Sequence, residues 1–289
     1  MLKTIRKALQ IEEIRKKLWF TFLMLIVVRL GSQLPTPGVN PDYVKAFFAS
    51  QTGDAFNFFN AFTGGSFERM SIFALSISPY ITSSIIIQLL AIAIPALEEM
   101  QKDGEDGKKK IATITRYVTV LLALIQSAAM AIGFGRSGLL VEYNFVNAAV
   151  VVLTLTAGSA FLMWLGEQIT EKGIGNGISV ILLINIVASL PTDFTGLYNQ
   201  FIKGADNVVK AVIAAVIIIA VVILLVVLVV LLQDATRKIS VQYAKKMQGR
   251  KMVGGQSSHI PLKVNTAGVI PVIFASSIMQ APIIISSLV

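Results

Sequence analysis

Few residues in this chain have the chemistry of a reaction centre. Its 289 residues include no cysteine, so disulfides, thiolate metal sites and cysteine nucleophiles are excluded. His259 is the only histidine and sits beside Pro261 in a basic segment. With no second histidine, neither a metal site nor a Ser–His relay is expected around it. No glycine-rich phosphate loop is present. What remains is a set of small polar residues in apolar surroundings. Ser76, Ser78, Thr82, Ser83, Ser84 and Gln88 surround Pro79; Ser276, Ser277 and Gln280 follow Pro271; Gln126 and Ser127 lie between. In a bilayer such residues join helices through close packing and weak hydrogen bonds, about 0.6 kcal/mol each. They equally suit an interface that must open, and the residues alone leave both readings standing. Arg29 is the one charge well inside an apolar stretch; near that stretch's outer end, it is expected to snorkel to the membrane surface.

The elements that carry these residues follow from composition. The chain is 55% hydrophobic and 14% charged, with mean hydropathy +0.74, where ordinary soluble domains carry about 25% charged residues. That excludes a disordered or collagen-like chain and points to a polytopic membrane protein. Seven apolar segments approach the length of a spanning helix: Leu18–Leu34, Ile72–Leu97, Tyr117–Phe134, Val146–Leu165, Ile174–Leu190, Val208–Leu232 and Val264–Val289. The sixth is the clearest, with no charged or strongly polar residue from Ala211 to Leu232. The fifth opens on three glycines, and the second and seventh are expected to be interrupted by Pro79 and by Gly268 and Pro271. The basic start of the chain mimics a signal peptide, but Pro35-Thr-Pro-Gly38 follows in place of a small-residue cleavage site, so an uncleaved first span is expected.

Lys and Arg alternate from side to side of these spans. Nineteen fall in the N-terminal segment 1–17 and the loops 98–116, 166–173 and 233–263, against five in the intervening loops. The positive-inside rule then places the N-terminus and the large basic loops in the cytoplasm. Seven spans leave the C-terminus outside. Because Ile283–Val289 is still apolar, the chain is expected to be truncated at or within its last span. Pro79-Tyr-Ile-Thr-Ser-Ser-Ile85 and Pro271-Val-Ile-Phe-Ala-Ser-Ser-Ile278 share a Pro-x-Ile, Ser-Ser-Ile pattern five spans apart, which suits two repeated halves. The aromatic-rich stretch Phe56–Phe67, too short to span, contains Gly64-Gly65 for a sharp reversal and must be buried at the lipid interface or inside the protein.

Five segments in order resemble the SecY/Sec61-alpha family of protein-translocation channel subunits. They are Phe62-Thr-Gly-Gly65 with Ser71-Ile-Phe-Ala-Leu75; Pro79-Tyr80 through Ile85-Ile-Ile-Gln-Leu-Leu90; Trp164-Leu-Gly-Glu-Gln-Ile-Thr-Glu171; Gly173-Ile-Gly-Asn-Gly-Ile-Ser179; and Gly254-Gly-Gln-Ser-Ser-His-Ile-Pro-Leu-Lys-Val-Asn265 with Ala267-Gly-Val-Ile-Pro271. The resemblance covers essentially the whole chain. It implies an all-α polytopic helical bundle, the first five-span half plus the first two spans of an inverted second half, in one transmembrane domain over 1–289.

It also implies a channel in the bacterial cytoplasmic membrane that passes unfolded chains, with no catalytic residue, metal or cofactor. On the matching motif positions, the aliphatic pore ring would be Ile77, Ile81, Ile178, Leu182 and Ile273. A short apolar constriction gates ions by dewetting and offers no hydrogen bonds that would prefer one passing sequence. The i,i+4 pairs Ile77/Ile81 and Ile178/Leu182 each share a helix face, which ordinary apolar packing would equally explain. The plug, a short helix over 55–69, would include Phe62, Thr63, Gly64, Gly65, Ser66 and Phe67. Thr82, Gln88, Gln126, Ser276 and Ser277 would lie on the lateral gate, where signal peptides intercalate. Arg250 and Lys251 would dock the SecA motor or the ribosome, whose RNA phosphates make such contacts salt-sensitive; a cluster that only sets topology would look the same. SecE and SecG subunits, nascent chains and membrane lipid complete the implied partners. A solute transporter would need a coordinating charge near the bilayer midplane, and an intramembrane protease a Ser–His pair, paired Asp or zinc site; neither is visible in the spans.

Overall fold

In the computed structural model, which describes residues 10–40, 43–44, 60–135, 138, 140, 142, 144–203, 208–241, 246–248, 251–253, 258–266, 268 and 275, the apolar runs become helices. In chain order these are α1 (Glu12–Gly31), α2 (Ser78–Ala93), α3 (Pro95–Lys102), α4 (Gly104–Gly135), α5 (Phe145–Lys172), α6 (Gly177–Leu197) and α7 (Val208–Asp234). α4, α5, α6 with the π-helical turn Tyr198–Lys203, and α7 are each long and apolar enough to cross a membrane; α2 and α3 together form a bent candidate. α1 joins them as a 20-residue helix whose first two turns carry Glu12, Glu13, Arg15, Lys16 and Lys17. Of the expected seventh span, only 264–266, 268 and 275 are described.

Several boundaries differ from expectation, each for a local reason. The second span does not begin at Ile72, and Pro79 does not interrupt it. Pro79 lies in the first turn of α2, where a missing N–H costs nothing. The break comes instead at Ile94, held extended (φ −110, ψ 113) by the following Pro95, and the axis turns by 105° into α3. Residues 98–116, read as a loop, are helical: they form most of α3 and the start of α4. Segment 233–263 is not an open loop but a β-ribbon. β1 (Thr236–Val241) pairs antiparallel with β4 (Ser258–Lys263), Ile239 opposite Ile260, and β2 (Lys246–Gln248) pairs with β3 (Lys251–Val253).

The described residues fall into two compact units, one comprising those up to Thr192 together with those from Ile273 onward, and one from Asp193 to Val272. In the first, α5 is the central helix, burying Val151, Leu155, Gly158, Ser159, Leu162, Gly166 and Ile169 along its length. α4 meets it with a stripe of small residues every fourth position, Thr115, Thr119, Ala123, Ser127 and Ala131, all buried. Small side chains let helix backbones approach closely where lipid supplies no hydrophobic drive. Ser127 and Thr156 hydroxyls hydrogen-bond across this seam at 2.9 Å. α2 turns its own i+4 stripe, Pro79, Ser83, Ile87 and Ala91, inward, and Ser83 Oγ donates to the Thr115 carbonyl at 2.8 Å. In the second unit no described residue of α7 is buried, as suits a helix facing lipid.

Candidate functional site: an aliphatic seam and its plug segment

Between α1 and α2 the chain takes a path that sequence periodicity does not register. Residues 60–63 make one helical turn, and from there to Ile77 the backbone proceeds through successive turns. Asn60 closes the first loop: its Nδ2 donates to Glu68 Oε2 at 2.8 Å and its Oδ1 accepts from the Glu68 N–H at 3.2 Å. Thr63 Oγ1 donates to the Asn60 carbonyl and accepts from the Phe67 N–H. An antiparallel bridge ties the far end to the segment after α1, through Thr36 N–H to the Met70 carbonyl (2.9 Å) and Ile72 N–H to the Leu34 carbonyl (3.0 Å). Of the span 55–69 expected as the plug helix, residues 60–63 are helical and 64–69 form turns; residues 55–59 lie outside the described residues.

This segment threads between two apolar clusters. Phe67, Met70, Ala74 and Leu75 pack with Ala123, Met130, Val151 and Leu155 of α4 and α5. Phe73 and Ile77 turn the other way, toward Val28 of α1, Leu162, Leu165 and Ile169 of α5, and Ile181 of α6. Ile81 and Ile178 pack against this second cluster while staying half-buried. So Ile77, Ile81 and Ile178, from two helices 100 residues apart in sequence, meet at one seam. Their settings are unequal. Ile77 is the residue before α2, 1% exposed, and its carbonyl accepts the Ile81 N–H at 3.1 Å. Leu182, half-buried, is not part of the cluster; Ile273 lies outside the described residues.

Close approach sets how α5 and α6 carry their share. Gly177 opens α6 so near α5 that a Cβ there would stand 2.0 Å from the Gly166 carbonyl. Its N–H donates to Thr170 Oγ1 at 2.9 Å, and Asn176 Oδ1 caps the helix by accepting from Ile178 N–H at 3.1 Å. The turn also reaches α1, where Thr21 Oγ1 accepts the Ile174 N–H at 3.2 Å.

Arg29 departs from expectation. It does not simply snorkel; Nη1 donates to the Gly64 carbonyl at 3.4 Å, so the span's one charge meets the turn segment after residue 63. Gly64 has φ +66, and a Cβ on it would stand 2.9 Å from both Arg29 Nη1 and the Asn185 carbonyl. Asn185, on α6, escaped the sequence reading. A lone amide within Val180–Val187 was the available signal, since a polar group in lipid needs a partner. Its Nδ2 donates to Ser76 Oγ at 3.2 Å, and Ser159 Oγ of α5 donates to the Ser76 carbonyl at 3.3 Å.

The polar residues expected at an opening face are not the ones that bind helices together. Thr82 Oγ1 donates to Ser78's carbonyl and Gln88 Nε2 to Ser84 Oγ (3.4 Å), both within α2. Gln126 is half-buried beside the bonded Ser127. Ser276, Ser277 and Arg250 lie outside the described residues, as does the side chain of Lys251, the first residue of β3, which pairs with Gln248. Arg116 Nε bridges α4 to Glu167 of α5 at 2.7 Å. Among the described residues no group of three or more His, Cys, Asp or Glu stands together as a metal site would require.

Comparison with known proteins adds an independent line. Residues 71–289 match the SecY family model. The chain is 45% identical to the protein translocase subunit SecY of Pseudomonas aeruginosa over 94% of its length and 61% of that relative's. It is 44% identical to that of Bacillus subtilis (99% and 67%) and 45% identical to that of Escherichia coli K12 (95% and 62%). It thus spans three fifths to two thirds of the length of these relatives. A solved protein-conducting channel superposes with TM-score 0.65 at 19% identity, covering 95% of this chain and 59% of that one. Sec61 from a canine ribosome–channel complex superposes with TM-score 0.66 at 18% identity, covering 95% and 59%. At such identities these structures establish the fold.

Proposed function

The chain belongs to the SecY family, and from that premise we propose that it forms the central pore of a protein translocon in a bacterial cytoplasmic membrane. In this reading it conducts unfolded secretory chains across the bilayer and releases membrane segments sideways into lipid. The observation that carries it is the aliphatic seam: Ile77, just before α2, with Ile81 of α2 and Ile178 of α6, and Gly64 of the plug 55–69 close against the backbone of Asn185 on α6. Leu182 and Ile273 complete the ring. A greasy waist of this kind excludes ions by dewetting, yet offers no fixed hydrogen bond to a threaded chain.

The face of α2 that carries Thr82 and Gln88 supports lateral release. Thr82's hydroxyl and Gln88's amide bond to Ser78 and Ser84 of their own helix, so neither of these two bonds has to break when a neighbouring helix moves away. Entry of an apolar signal helix would gain about 25 cal/mol per Å² of buried surface relative to water. Gln126, Ser276 and Ser277 belong to the same gate. Arg250 and Lys251 of the basic ribbon dock the ribosome or the SecA motor, SecE and SecG flank the channel, and the N-terminus is cytoplasmic.

The test is electrical. Ile81→Gly with Ile178→Gly, in the full-length channel complex in planar bilayers, should raise resting ion conductance several-fold; conductance equal to the parent's refutes the ring.

A further inference from the structure

The ring assignment leaves unused a buried polar contact one residue before Ile77. Ser76 is 4% exposed and Asn185 3% exposed, and their side chains meet at 3.2 Å. Ser76 also takes the Ser159 hydroxyl on its carbonyl. Two features make this contact costly. Ser76 sits at φ +50, the left-handed region that favours glycine, and Asn185 Oδ1 is buried with no hydrogen-bond partner among the described residues. An apolar side chain at 185 would avoid the second cost. A strained backbone persists where its surroundings over-determine it, and here the surroundings are the ring and the plug.

On α6 the buried stripe is Gly177, Ile181 and Asn185. Each ring member, Ile178 and Leu182, follows a stripe residue by one position, about 100° around the helix. Packing of Gly177 and Ile181 holds the stripe against α5; a directional bond at Asn185 adds a fixed height and rotation. The bond's other end is the residue that launches Ile77 and α2. The backbone of Asn185 also seats Gly64 of the plug segment. We infer that Asn185 and Ser76 are positioning residues, a polar pin that holds ring members from α2 and α6 in register and seats the plug against them. This inference rests on the ring reading above.

The test uses the full chain in its native membrane complex. Asn185→Leu keeps the branched four-atom layout of the side chain and removes the bond; Ser76→Ala removes the acceptor and decides the matter if the first variant does not assemble. Each should raise resting conductance per channel about tenfold, the effect expected from leaving one buried polar group unpaired. The exchanged pair Ser76→Asn with Asn185→Ser restores a bond, with asparagine at the left-handed position it tolerates, and should return conductance close to the parent's. Ser83→Ala removes an equally buried interhelical bond, to the Thr115 carbonyl, and should lower thermal stability without leakage. Parent-like conductance in the single variants, with Ile178→Gly leaking, overturns the pin and leaves the ring intact. A tight Ile178→Gly overturns both. Leakage from Ser83→Ala equal to that of Asn185→Leu also overturns the pin, because any lost helix contact would then suffice.

Discussion

Gly64 and Gly65 make a differential test of how the plug segment is held. Both have positive φ, +66 and +78, so an added methyl group strains the backbone equally at either position. That strain is about 1–2 kcal/mol for a left-handed residue with a Cβ. Only Gly64 has neighbours: its Cβ would stand 2.9 Å from the Asn185 carbonyl and 3.0 Å from Asn185 Cα, while nothing lies within 4 Å of the Cβ of Gly65. Helix backbone on α6 cannot swing aside as a side-chain tip can, so Gly64→Ala should carry a further ~1–3 kcal/mol of overpacking. At 1.4 kcal/mol per tenfold, Gly65→Ala should unseat the segment about tenfold more often, and Gly64→Ala about a hundredfold or more. Because the chain has no cysteine of its own, Ser66→Cys supplies a single reporter, and Ser66 is 2% exposed when seated. The rate at which a membrane-impermeant maleimide labels Cys at that position reads the unseated fraction. Labelling equally fast in the two alanine variants would refute the contact between Gly64 and α6.

Two further outcomes probe other parts of the molecule. Gly177→Ala places a Cβ 2.0 Å from the Gly166 carbonyl and should destabilise the α5–α6 pair by about 3 kcal/mol, whereas Gly196→Ala, with open space around it, should stabilise by about 0.5–1 kcal/mol; thermal unfolding in lipid nanodiscs separates them. Arg250→Glu with Lys251→Glu should weaken ribosome or SecA binding in a salt-dependent manner, measured by co-sedimentation at several ionic strengths; unchanged binding leaves those charges a topogenic role only.

How much could be read in advance varied by element. The run Ala211–Leu232 sits within α7 as expected, because twenty-two uninterrupted apolar residues have few other stable conformations in a bilayer. Pro79 misled because a proline's effect depends on its position in the helix, and the helix began six residues later than hydropathy implied. Hydropathy also took Ile72–Ile77 as the start of the second span, yet 64–77 is built mostly from turns, with positive φ at Gly64, Gly65, Met70 and Ser76. The β-ribbon was hidden for a related reason. Charges at Arg237, Lys238 and Lys263 marked 233–263 as polar, and the pairing of Thr236 with Lys263 is a relation between strands 27 residues apart.

Amino-acid order alone determined the membrane class, most of the spans, the charge asymmetry and the motifs that carry the family resemblance, since each is written in neighbouring residues at helical or charge-block spacing. The three-dimensional arrangement decided which face of each helix is buried, and so which polar groups find one another. Asn185 meets Ser76 across 109 residues, and Arg29 meets Gly64 across 35. A hydrogen bond needs its partners within about 3 Å. Only the stacking of α1, the plug segment, α2 and α6 on α5 sets separations that fine, and no sequence window contains both ends.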